Sequence, residues 1–191
     1  MLERLARSGF VYDMVQYAAG AGLLHDQLTP VMASAAGQTV LDVGAGTGLY
    51  ASCLPRDAVY VWTDHDRHKL ARFRERRPSG PAVLADATAL PFTTKSIGWT
   101  MCVNVTHHLP DDALGVLLDE LARVTTARIV INDPLAHPSL TSRALWRLDQ
   151  GSYPRTHEQL QAIVGRHLDI VDTQHFGRFH QYLLLVTRPR R

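Results

Sequence analysis

The nine residues Val40-Leu41-Asp42-Val43-Gly44-Ala45-Gly46-Thr47-Gly48 constrain this chain more than any other stretch. An apolar, partly β-branched run carries one carboxylate and ends in a glycine-rich turn. Helix-compatible residues, Leu49 to Leu54, follow. A strand that passes through glycines into a helix is how a parallel α/β sheet built around a nucleotide-like ligand begins. Glycine lets the backbone turn sharply and lets a ligand approach with no Cβ in the way. The helix start then turns backbone N–H groups toward that ligand.

The spacing narrows the ligand. The glycines read G-x-G-x-G, so the third arrives one residue earlier than in a dinucleotide fingerprint, and Leu49 holds its expected place. This disfavours a nicotinamide oxidoreductase. Ala58 to Asp64 reads as a second strand ending in an acid 22 residues beyond Asp42. An acid at that strand end can accept both hydroxyls of a ribose. Asp66 competes for that role but suits the N-cap of the next helix. Pro81 to Ala87 reads as a third strand running into Asp86-Ala87, and Ser96 to Val105 as a fourth.

With these parts in order, VLDVGAGTG resembles motif I of the class I S-adenosylmethionine-dependent methyltransferases. Leu90-Pro91-Phe92 and Thr106-His107-His108-Leu109-Pro110 match two further segments of that family. Gly98 departs from it, standing where the family usually has Asp, so an irregular entry to the fourth strand is expected. The resemblance covers about residues 38 to 135 and is closest to the small-molecule branch that includes quinone-ring methyltransferases. It implies a Rossmann-like sheet of seven strands in the order 3-2-1-4-5-7-6, the last antiparallel, with helices on both faces. It implies S-adenosyl-L-methionine as cofactor and S-adenosyl-L-homocysteine as product. Asp42 would organise the loop Gly44, Ala45, Gly46 and Gly48 near the methionine ammonium. Asp64, with His65 beside it, would hold the ribose. Asp86 would face the adenine amino group and the Ala87 amide a ring nitrogen, while Asn104 would sit beside the sulfonium. Tyr12, in a "YD" pair ahead of motif I, would belong to a lid.

Composition sets outer limits. At 191 residues and 46% hydrophobic content the chain suits one domain with a real core. We divide it into an N-terminal helical lid (1–36), a cofactor-binding half (37–135), and an acceptor cap with C-terminal hairpin (136–191). A formal charge of +2 gives no electrostatic case for nucleic acid. The two cysteines, Cys53 and Cys102, read as small buried hydrophobes in a helix and a strand. No apolar stretch reaches bilayer length and no leader is recognisable, so a cytoplasmic protein with no membrane span is expected.

Strands and helices alternate from residue 38, which argues for a parallel sheet covered on both faces. Residues 1 to 36 read as two helical pieces split at Gly20-Ala21-Gly22. Asp66 to Arg77 is a basic helix, read as a solvated outer helix rather than an RNA-binding face, because no aromatic set accompanies it. Pro110-Asp111-Asp112 starts a helix running to about Val124, whose buried stripe is Leu114, Leu117, Leu118 and Leu121. Ala127 to Asn132 is a fifth strand ending at Asp133-Pro134. Thr156 caps a helix from His157 to Arg166, and Ile170–His175 with Tyr182–Thr187 form the last two strands.

Ligands of open α/β sheets bind beyond the C-terminal strand ends. The groups following strands four and five are therefore candidates to face a methyl acceptor: His107, His108, Asp133 and His137. His107 and His108 are the candidate bases, against a structural reading of each. Arg147, Tyr153 and Arg155 are further acceptor-site candidates from the atypical stretch after strand five. No metal is expected, because adjacent histidines seldom share an ion. The expected partner is a small organic acceptor, with a second copy of the chain as one way of completing a small pocket. The alternatives are a protein or RNA methyltransferase and a non-catalytic cofactor-binding subunit.

Overall fold

The structure, a computed structural model, describes residues 21–136, 146, 152–177 and 181–190. Its elements are α1 (Ala21–Met32), β1 (Thr39–Val43), β2 (Val59–Asp64), α2 (Arg67–Arg76), β3 (Ala82–Leu84), β4 (Ile97–Val103), α3 (Asp111–Val124), β5 (Thr125–Pro134), α4 (His157–His167), β6 (Leu168–Gly177) and β7 (Gln181–Pro189). The strands form one sheet in the order β3-β2-β1-β4-β5-β7-β6. β7 runs antiparallel to both of its neighbours, and the pairs from β3 across to β5 are parallel. This is the order expected from the sequence.

The two-residue period of a strand divides the core. Leu41, Cys102, Ile129, Ile131, Leu183 and Leu185 point to one face, where the stripes of α3 and α4 cover them. Val40, Met101, Val130, Leu184 and Val186 point to the other, under Leu24, Leu28 and Met32 of α1 and Phe73 of α2. The α3 stripe of Leu114, Leu117, Leu118 and Leu121 is fully buried. Such near-continuous apolar strands are stable only with helices on both faces. Both thiols lie inside, Cys53 in one layer and Cys102 in the sheet; burial pushes Cys53 up to about 11 and holds Cys102 well above the ordinary thiol range.

Several boundaries differ from the sequence reading, each for a local reason. Ala21 and Gly22 both lie in α1 rather than at a break between two helical pieces; a glycine inside a helix costs about 1 kcal/mol relative to alanine but does not end it. Leu49–Cys53 is a 3-10 turn, because the chain leaves it for β2 after barely one turn. β3 has only three residues, a short edge strand. The entry to β4 is irregular as expected: its register against β5 shifts between Ile97 and Trp99. A Cβ on Gly98 would lie 2.6 Å from Oε1 of Gln38, the movable end of a side chain just before β1, and 3.4 Å from Thr39 O. Thr156 caps α4 through a capping box with Gln159.

Candidate functional site

The C-terminal ends of β1 to β4 open on one cleft of about 500 Å³. Its floor is the glycine loop. Gly44 and Ala45 donate their N–H groups to Thr63 O at 2.8 and 3.0 Å, and Gly46 N donates to Asp64 Oδ2 at 2.9 Å. Trp62 Nε1 donates to Gly46 O at 2.8 Å. Strand β2 therefore holds the loop that follows β1. The loop needs glycine at two positions for different reasons. Gly44 has φ +72°, and a Cβ there would meet Val105 Cγ2 at 2.4 Å. Gly46 has φ +56° with nothing within 4 Å of its Cβ position, so it leaves the cleft open where a side chain would fill it.

Asp42 and Asp64 sit on either side of this loop, 2% and 3% exposed. Asp42 accepts from the Tyr60 hydroxyl at 2.7 Å. Burial pushes the Asp42 carboxyl up to about 7; the Tyr60 hydrogen bond lowers it, and the neighbouring charge of Asp64 raises it further. Burial and the same carboxylate hold the Tyr60 phenol well above its ordinary range, so it stays a donor. Asp64 additionally accepts from Asp66 N at 3.0 Å, with Lys69 Nζ 3.7 Å away and the exposed ring of His65 at 3.5 Å. Asp66 itself caps α2 by accepting from His68 N at 2.8 Å, as its sequence position suggested. Asp86 and Ala87 line the far wall. The Asp86 carboxylate accepts from both N and Oγ1 of Thr88, which hold it below the usual range.

Asn104 follows β4 with φ +57°, a conformation Asn tolerates better than most residues. It lines the cleft, donates N–H to Asn132 O at 2.8 Å, and accepts from Asn132 Nδ2 at 3.3 Å. His108 is exposed and lines the same end with Val105 and Leu109.

The remaining candidates separate from this group. His107 is buried at 1% exposure and shares a 2.9 Å hydrogen bond between Nδ1 and Asp133 Oδ1. Asp133 is 2% exposed, accepts also from Thr106 Oγ1, and does not line the cleft. Arg155 is buried at 6%, with its guanidinium committed to Asp111 Oδ1 and to the carbonyls of Thr106, Tyr153 and Leu109. Tyr153 is exposed and outside the cleft lining. Tyr12, Arg147 and His137 lie outside the described residues. Tyr60, Trp62, Thr63 and Lys69 are site residues the sequence reading did not name. The alternation Tyr60, Trp62, Asp64 was the signal for two of them, since these three share one side of β2. Among the described residues no cluster of three or more His, Cys, Asp or Glu side chains could hold a metal, and no helix is long and apolar enough to cross a membrane.

A family model described as a methyltransferase domain matches residues 40–128. An uncharacterized methyltransferase of Mycobacterium sp. (strain JLS) is 36% identical over 91 residues, which cover 47% of this chain and 35% of that protein. The chain thus spans about a third of the length of the curated relatives it matches. Among solved structures, a chain from the complex between the Haloferax volcanii Trm112 methyltransferase activator and a methyltransferase superposes with TM-score 0.81 at 15% identity, covering 98% of this chain and 97% of that one. Magnesium protoporphyrin IX methyltransferase from Synechocystis PCC 6803, solved with bound SAM, gives 0.73 at 15% identity over 97% and 94%. These likenesses are of fold.

Proposed function

We propose, for a chain whose residues 40–128 belong to the methyltransferase domain family and whose sheet has the class I methyltransferase order, S-adenosylmethionine-dependent methyl transfer to a small organic acceptor. One observation carries the reading. Three carboxylates, at or just beyond the ends of three successive parallel strands, surround one cleft whose floor is a glycine loop with an open Cβ position at Gly46. That set fits an adenosyl amino acid: an acid for an ammonium, an acid for a ribose diol, and an acid for an exocyclic amine. Asp42 fits the ammonium best, since among the described residues it has a phenol partner and no ion-pair partner.

When bound, the cofactor supplies an activated methyl on a sulfonium; the methyl passes to the acceptor's lone pair and the sulfur keeps the bonding electrons as a thioether. Positioning of the acceptor accounts for most of the rate in such a displacement. Asp64 binds the ribose, with Lys69 and His65 at the rim, and Asp86 and Ala87 orient the adenine. Asn104 borders the reacting end. His108 is the described titratable side chain at that end, and it takes the acceptor's proton where the acceptor must lose one.

Calorimetry with S-adenosylmethionine, S-adenosylhomocysteine and NADH tests the cofactor. Micromolar binding of the first two and none of the third is expected, and the reverse pattern would overturn it. A screen of small acceptors with labelled methyl donor tests the acceptor class; transfer to protein or RNA alone would refute it. A second reading, a catalytic subunit that needs a partner, is favoured by the fold likeness to a chain solved with a methyltransferase activator. It predicts that the isolated chain binds neither adenosyl compound.

A further inference from the structure

Two buried side chains, Asp133 and Arg155, converge on the seven-residue loop (104–110) between β4 and α3. Asp133, at the end of β5, uses both carboxylate oxygens on it: Oδ2 accepts from Thr106 Oγ1, and Oδ1 meets His107 Nδ1 at 2.9 Å. A carboxylate oxygen only accepts, so Nδ1 is the protonated nitrogen of His107. From the segment before α4, Arg155 donates Nη1 to Thr106 O at 2.8 Å and Nη2 to Leu109 O at 2.7 Å. It also anchors itself on Asp111 Oδ1 at 2.9 and 2.7 Å. The backbone N–H of Tyr153 donates to His107 O at 3.0 Å. Carbonyls of Thr106, His107 and Leu109 are thus all held from one side, and the side chains of Thr106 and His107 from the other.

The side chains held this way, those of Thr106 and His107, are not part of the lining of the cleft; their neighbours are. Asn104, Val105, His108 and Leu109 line it. The His107 ring lies against that of His108 with centroids 4.1 Å apart. A buried carboxylate and a buried guanidinium are costly unless fully hydrogen-bonded, and here the bonds that satisfy them are those that fix the loop.

We infer that Asp133, His107 and Arg155 are positioning residues: a clasp that sets the 3-10 turn Thr106–His108 so that Asn104 and His108 present to the bound cofactor and acceptor. This rests on the proposed methyltransferase reading, because it assigns the clasp to that cleft. The chemistry of Nδ1 gives a specific test. An asparagine side chain places its N–H where Nδ1 stands, whereas glutamine reaches only to the position of Nε2.

The variants are His107→Ala, His107→Gln and His107→Asn, with Thr106→Val as a milder change that removes one donor and keeps the shape. S-adenosylhomocysteine affinity is measured by calorimetry well below each variant's Tm, and amide hydrogen exchange is followed in the unliganded protein. His107→Ala and His107→Gln are expected to weaken binding about tenfold and His107→Asn to stay within about twofold of wild type. Exchange at the amides of His108 and Leu109, which donate to Val105 O and Thr106 O, is expected to quicken in the same order while β4 stays protected. Thr106→Val is expected to move both readouts in the same direction, by less. A drop in Tm with unchanged affinity and unchanged loop exchange in all variants would overturn the inference, as would an Asn variant as impaired as the Ala variant. If the wild type binds no S-adenosylhomocysteine, the functional reading fails, and the exchange pattern alone then judges whether the clasp holds the loop.

Discussion

Asp42→Asn tests the charge balance of the cleft most directly. Asp42 is 2% exposed and hydrogen-bonded to a neutral phenol, and burial raises its carboxyl from 3.8 to about 7. In the unfolded chain the group ionises near pH 4; in the folded chain it holds its proton until about pH 7. Between these values the folded state binds more protons than the unfolded one, so stability falls as pH rises, and the full penalty is present above pH 7. At about 1.4 kcal/mol per pH unit, the rise amounts to a penalty on the order of 4 kcal/mol. Asparagine keeps an acceptor for Tyr60 and carries no charge. The variant should match the wild type near pH 4 and exceed it by a few kcal/mol at pH 8, with most of the gap opening between pH 4 and 7. Urea denaturation of both proteins at half-unit intervals from pH 4 to 8 measures this. Parallel stability curves would show that Asp42 pays no burial penalty in the folded chain and would refute the reasoning. The same variant should bind S-adenosylhomocysteine more weakly, because the ammonium loses its counter-charge. Greater stability with poorer binding is the signature of a residue kept for its ligand.

Gly46→Val should abolish S-adenosylhomocysteine binding, because its side chain enters the cleft, and should cost about 1–2 kcal/mol in denaturation from the left-handed backbone; retained affinity would place the ligand elsewhere. Asp64→Ala should weaken cofactor binding by more than about tenfold, since a buried acid that also holds the Gly46 N–H is lost; wild-type affinity in calorimetry would remove the ribose role. His108→Ala should lower kcat for an acceptor that must lose a proton while leaving cofactor affinity intact. An unchanged kcat would leave His108 as a loop residue.

What could be read from the sequence was what local pattern encodes. The strand order followed from the motif resemblance, and the faces of α3 from leucines at helical spacing. The glycine loop, Asp42, Asp64, Asp86 and Asn104 gather on one cleft because each follows, or ends, a parallel strand, and strand ends of a parallel sheet share one edge. Asp66 declared itself a cap by its place before a helix. Tyr60 and Trp62 were legible in principle from their two-residue spacing to Asp64.

Other features had no local signature. Whether Asp133, His107 and Arg155 face a ligand or the interior depends on how β5, the loop after β4 and the segment before α4 pack together. That is a matter of contacts between residues 26 to 49 positions apart. A sequence shows an arginine; only the fold shows that three carbonyls and a carboxylate occupy its guanidinium. The same holds for the acidity of Asp42, which is set by the water that packing removes from around it. Chain pattern decided which residues come to the strand ends, and tertiary packing decided which of them remain free to meet a ligand.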